Sequence, residues 1–140
     1  MFRSILFISV TILLLGAEVI KNEELSGEEF KAQNRQIAEL AAGEMNKNTP
    51  QQVDSYTTLA SVRSSGTTII YNYELDVDGK SDDELREDAS KKMAQGIIDG
   101  SCASSRRFLE ADIDLHYIYT SKKSKSLLFE VKVTKRSCKS

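Results

Sequence analysis

The chain of 140 residues is long enough for one domain with a modest core and too short for a second. Its 19 Lys and Arg against 21 Asp and Glu give a formal net charge of −2, which excludes the strongly basic footprint of a general nucleic-acid binder. The charge is uneven, acidic over 74–88 and basic over 122–139. That pattern reads as two solvated segments, with a polar field that orients a partner as the sharper alternative.

Met1-Phe2-Arg3 and the apolar run Ser4 to Ile20 have the form of an export signal. Cleavage after Ala17 places Leu15 at the −3 position, a poor fit, and no cysteine near the run offers a lipid attachment. Retention requires a short span with Glu18 near its outer end. The reading leans to a retained single-span anchor in the inner membrane through residues 4–20, with cleavage left open. The expected layout is a signal or anchor at 1–20, a linker at 21–25 and an exported domain at 26–140. Two cysteines, Cys102 and Cys138, are an even count, which in an exported chain points to a disulfide. Such a bridge closes a loop of about 37 residues, for which the chain-entropy relation gives about 4 kcal/mol. A metal site is the competing reading, but two cysteines without CxxC spacing and a single histidine supply few ligands.

Along the chain, Ser26 and Glu29 form a capping box, with Leu25 and Phe30 as a hydrophobic staple, so a helix starts here. Phe30, Ile37, Leu40, Ala41 and Met45 fall on its expected core stripe, and the segment before Pro50 ends it. A first strand is expected over 55–63, then a turn at Ser64-Ser65-Gly66. The second strand alternates Ile69, Tyr71, Tyr73 and Leu75 with Thr68, Ile70, Asn72 and Glu74. Asp76-Val77-Asp78-Gly79 resembles part of a calcium loop, but Leu85 stands where that loop needs a bidentate Glu, so an Asp-Gly turn is the reading.

Ser81 and Glu84 make a second capping box, ahead of a helix with an apolar stripe of Leu85, Ala89, Met93 and Ile97 and a stop at Gly100. A further helical turn within 101–109 buries Phe108 and Leu109. The last part is another hairpin. Ile113, Leu115, Tyr117 and Tyr119 alternate with Asp112, Asp114, His116 and Ile118; Leu127, Phe129, Val131 and Val133 alternate with Leu128, Glu130, Lys132 and Thr134. The expected fold class is α+β: after the apolar N-terminus, α-β-β-α-β-β with a four-stranded, mainly antiparallel sheet and both helices on one face.

Chemistry is sparse. His116 is the sole histidine, on a strand face, and no Gly-rich phosphate loop, GxSxG or HExxH occurs. No catalytic residue, metal ligand or cofactor is assigned, and an enzyme is not expected. The uncovered sheet face is the candidate partner-binding face, carrying Ile70, Asn72, His116, Ile118, Leu128 and Lys132. There Ile70, Ile118 and Leu128 read first as scattered apolar residues on an ordinary surface, with an apolar patch and polar rim suited to a protein partner as the sharper alternative. An edge strand open to β-augmentation is a related option.

Pro50, Val53-Asp54, Thr58, Leu59, Tyr71 to Leu75, Cys102, Leu109, Tyr117-Ile118-Tyr119, Val133-Thr134 and Cys138 resemble a group of small exported bacterial proteins of unassigned function. The similarity covers about residues 46–138. It implies a compact α+β domain with a Cys102–Cys138 bridge in the periplasm, and it carries over no catalytic residue. Lipidated members of the group have a lipobox cysteine that this chain lacks. The expectation is a non-enzymatic, periplasmic or membrane-tethered interaction module, accessory or immunity-like, whose partner is an envelope protein. A structural or assembly subunit and a small hydrolytic enzyme are the alternatives.

Overall fold

The computed structural model describes residues 26–138, with the side chains of Asp88 and Ala89 outside that description. The expected anchor at 1–20, the linker at 21–25 with Leu25 of the staple, and Ala89 of the second apolar stripe lie outside the described residues. The described residues from Lys31 onward form one compact unit. Among the described residues no helix is long and apolar enough to cross a membrane.

Helix α1 (Gly27–Asn46) starts where Ser26 Oγ accepts the Glu29 amide at 3.2 Å. Its buried residues are Ala38 and Ala42, with Ala41 and Met45 packed beside them. The expected stripe is therefore corrected: Phe30, Ile37 and Leu40 are 50%, 38% and 65% exposed. Two asparagines set the rotation of the helix. Asn34 Nδ2 donates to the Ala111 carbonyl at 2.7 Å, and Asn46 Oδ1 accepts the Val62 amide at 2.9 Å. The helix thus meets the sheet through alanines and Met45 and carries Phe30, Ile37 and Leu40 outward.

Five strands follow: β1 (Gln51–Gln52), β2 (Thr57–Ser65), β3 (Thr68–Leu75), β4 (Asp114–Ser121) and β5 (Leu127–Val133). They form one sheet in the order β1-β2-β3-β4-β5. The expectation of four mainly antiparallel strands fails twice. The two-residue β1 adds an edge, pairing Gln51 with Leu59 and Gln52 with Thr58. The central pair β3–β4 is parallel, Thr68 to Leu75 opposite Asp114 to Ser121. The reason is the connection. A two-residue loop joins β2 to β3, and Gly66 at φ 59 supplies the positive φ that such hairpin loops need. From β3 to β4 the chain instead crosses over through helices, which returns it to the starting end of the sheet.

That crossover holds α2 (Asp82–Ser104) and α3 (Arg106–Glu110). Ser81 caps α2 through the Glu84 amide at 3.2 Å. The expected stop at Gly100 is overrun by a turn. Ser101 is buried and its Oγ lies 2.8 Å from Tyr117 Oη, while Ile97, Ile98 and Cys102 pack on the core. These contacts outweigh the roughly 1 kcal/mol that a helical glycine costs against alanine. Cys102 consequently sits inside α2. It is disulfide-bonded to Cys138 with Cα atoms 5.6 Å apart, pinning the segment after β5 to the helical layer.

The helices cover the face of the sheet that bears the aromatic residues. Tyr71 stacks on Tyr117 at 4.8 Å, Tyr73 on Tyr119 at 4.9 Å and Tyr119 on Phe129 at 4.5 Å, because register puts them in two cross-strand rows. Ile69, Leu115 and Val133 form a third row, each fully buried.

Candidate functional site

Among the described residues the opposite face of the sheet carries no helix, and its side chains follow from the register. One row runs Arg63, Ile70, His116, Lys132; the next runs Ser61, Asn72, Ile118, Glu130. Five of the six residues expected on this face are therefore brought together. Leu128 is the exception and a correction. The β4–β5 register shifts between Tyr119 and Thr120, which face Phe129 and Leu127, so Leu128 is an extra residue in a bulge. Leu128 and Phe129 both join the core, and Leu127 is left 48% exposed.

The expected apolar patch shrinks accordingly. Ile70 lies on the open face but is only 6% exposed, walled in by its neighbours. Ile118 remains half-buried between Asn72, which donates to Ser61 Oγ at 3.1 Å, and Glu130. His116 Nε2 is shielded from solvent and lies 3.2 Å from Glu130 Oε1, off the line of a hydrogen bond. The imidazole thus forms a wall of the face.

At the end of the sheet where β3 and β4 begin, the face hollows into a cup of about 310 Å³, lined by Ser65, Thr68, Ile70, Asp114, His116 and Lys132, with Leu115 and Thr134 completing it. Burial, and after it the Asp112 carboxylate, raises the Asp114 carboxyl above the ordinary carboxylate range. Alternation identified Ile70, His116 and Lys132, but the parallel β3–β4 pairing was needed to bring Thr68 beside Asp114. Those two residues were missed for that reason.

At the other end, the β4–β5 loop is held to the acidic stretch after β3. Lys123 Nζ lies 3.2 Å from Asp78 and 3.8 Å from Asp76, Lys125 Nζ lies 3.0 Å from Glu74, and Ser124 Oγ donates to Asp82 at 2.6 Å. The acidic and basic segments seen in the sequence are thus partners of each other. Exposed apolar side chains occur elsewhere, on α1 at Leu40 and in the β1–β2 connection at Val53 and Tyr56. Asp54 shapes that connection by accepting the Tyr56 amide at 2.8 Å.

Residues 32–129 match the family described as a domain of unknown function, DUF8479. The chain belongs to the DUF8479 family. No curated protein matches it by sequence. Among solved structures, this DUF8479 chain is similar to a protein of Pseudomonas aeruginosa classed as secreted, with a TM-score of 0.70 at 16% identity over 83% of this chain and 100% of that one. It is also similar to EpsS, a pilotin of the Vibrio vulnificus type 2 secretion system, with a TM-score of 0.70 at 15% identity over 81% of this chain and 99% of that one. A third likeness is to AspS, the type II secretion system pilotin of Vibrio cholerae, with a TM-score of 0.65 at 17% identity over 79% and 97% of the two chains. At these identities the likeness shows a shared fold.

Proposed function

We propose that this DUF8479 protein is an exported, non-enzymatic interaction module of the bacterial envelope, acting as a pilotin-like accessory component of a secretion assembly. The observation that carries the reading is the fold shared with two pilotins over nearly their whole length. The Cys102–Cys138 bridge supports it, since such bonds persist in oxidising compartments. The open sheet face supports it as well, because it offers a half-buried isoleucine with charged and amide neighbours, a chemistry suited to a protein partner. The test is removal of the protein from the cell of origin. Reduced export of type II substrates, restored by the intact chain, is the expected result; unchanged export contradicts the accessory role.

A second reading is an assembly subunit that acts through the sheet edge. It is favoured by the shortness of β1, which pairs with only Thr58 and Leu59, so that among the described residues the outer side of the rest of β2 has no neighbouring strand. The Val62 amide there is already taken by Asn46. Proline at Ser64 is expected to block strand addition while leaving contacts through the open face intact.

A further inference from the structure

The cup at the β3–β4 end combines two opposite charges that no other described residue pairs with. Among the described residues Asp114 and Lys132 have no ion pair or side-chain hydrogen bond, although both line the same 310 Å³ hollow. Register makes them neighbours on one face of the sheet. His116 faces Lys132 and Leu115 faces Val133, so Asp114 faces the position of Thr134 and lies diagonal to Lys132. Diagonal neighbours on one face of an antiparallel pair are within reach of a long side chain, yet the exposed Lys132 is not paired with Asp114 in this structure.

We propose that this cup binds a small zwitterion, an ammonium and an oxyanion held a few ångströms apart, with Asp114 taking the ammonium and Lys132 the oxyanion. A ligand carrying both charges can make a charge-assisted hydrogen bond to each side chain. An α-amino acid has that chemistry, and so does the ethanolamine phosphate of a lipid headgroup. A lone anion would leave Asp114 uncompensated beside it, and a lone cation would do the same to Lys132. The hydroxyls of Ser65 and Thr68 stand on the wall without side-chain hydrogen bonds among the described residues, free to accept from the ammonium or donate to the oxyanion. Ile70, 6% exposed, closes the floor, and the hollow lies at the small end of the range for ligand sites. His116 is held against Glu130 and shapes the wall without offering its Nε2. The raised carboxyl of Asp114 fits the same picture, because nothing cationic compensates it. The inference goes beyond the envelope role and does not depend on it.

The test is a titration of the full-length oxidised chain followed by backbone amide NMR, with glycine and O-phosphoethanolamine as zwitterions and acetate and methylammonium as single-charge controls. Saturable shifts at Asp114, His116 and Lys132 are expected with at least one zwitterion, at affinity tenfold or more above either control. Tighter binding of glycine identifies a free amino acid; tighter binding of O-phosphoethanolamine identifies a headgroup. Asp114→Asn and Lys132→Gln are each expected to weaken binding tenfold or more while spectral dispersion is unchanged. Absence of shifts with both zwitterions, equal affinity for a single-charge control, or undiminished binding in both well-dispersed variants overturns the proposal.

Discussion

Ser101 Oγ and Tyr117 Oη lie 2.8 Å apart, bonding the last turns of α2 to the middle of β4 inside the core. Burial raises the Tyr117 phenol and the Ser101 bond offsets part of that. Ser101→Ala leaves a phenol hydroxyl unsatisfied where water has little access, a loss of about 1–3 kcal/mol. Tyr117→Phe in the Ser101→Ala background is expected to recover part of it. A double-mutant cycle from urea unfolding is the check, and additive effects would show that the pair is not coupled.

The disulfide ties α2 to the short 3₁₀ turn (Lys135–Ser137) after β5. Replacing Cys138 by Ser is expected to lower unfolding stability by about 2–4 kcal/mol, following the loop closed in the unfolded chain. The denaturation midpoint of the intact protein should fall by a similar amount when reductant is added. An unchanged midpoint under reducing conditions would count against a stabilising bridge.

Asp114 makes a signed prediction. Its carboxyl is raised in the folded protein, so the folded state holds its proton more tightly than the unfolded state. In that window stability falls as pH rises, and at neutral pH the charged carboxylate is a net cost. Asp114→Asn should therefore raise the melting temperature at neutral pH. The gain should vanish in acid below the unfolded carboxylate range, where both chains are neutral at this position. Melting curves of the two proteins across pH decide it. A gain that persists in acid would point to packing instead of charge.

The tyrosine rows predict the opposite end of the pH scale. Tyr71, Tyr73, Tyr117 and Tyr119 all have phenols raised, first of all by burial. Their contribution to stability is complete below the unfolded tyrosine value of about 10 and is lost as pH climbs through the folded values. Tyrosinate absorbance from these four should rise together with loss of the fold in strong alkali. Gradual ionisation with the fold intact would mean that the rows are open to water.

By contrast, the clasp of Lys123 and Lys125 on Asp78 and Glu74 is expected to matter little for stability. Both lysines and Asp78 are well exposed, with Glu74 the one partly buried member, and about 0–1 kcal/mol is usual for such pairs. Lys123→Ala with Lys125→Ala should leave the midpoint nearly unchanged while loosening the β4–β5 loop, visible as faster amide exchange at residues 122–126.

Much of this architecture could be read from local chemistry. Both helix starts follow from Ser26 and Ser81, and the alternation of Tyr71 with Asn72 and of Tyr117 with Ile118 correctly divides the two faces of the sheet. What could not be read depends on contacts distant in sequence. The inward face of α1 is chosen by Asn34 and Asn46 reaching Ala111 and Val62, which no apolar periodicity reveals. The helix runs through Gly100 because Ser101 finds Tyr117. A bulge turns Leu128 inward, and nothing in the run Leu127-Leu128-Phe129 marks which leucine is the extra one. The parallel pairing of β3 with β4 arises from the crossover, so the cup residues Thr68 and Asp114 meet only in three dimensions.

The central claim, an envelope module that works by binding a protein partner, is tested most directly by photo-crosslinking in the cell of origin. A crosslinking residue is placed at Ile118 on the open face, at Tyr56 in the β1–β2 connection, and at the exposed Arg106 of α3 as a control. The account predicts one discrete adduct with an envelope protein from Ile118 or Tyr56, none from Arg106, and loss of the Ile118 adduct when Asn72 is replaced by Arg beside it. An oxidised, folded protein that yields no adduct from either surface would contradict it.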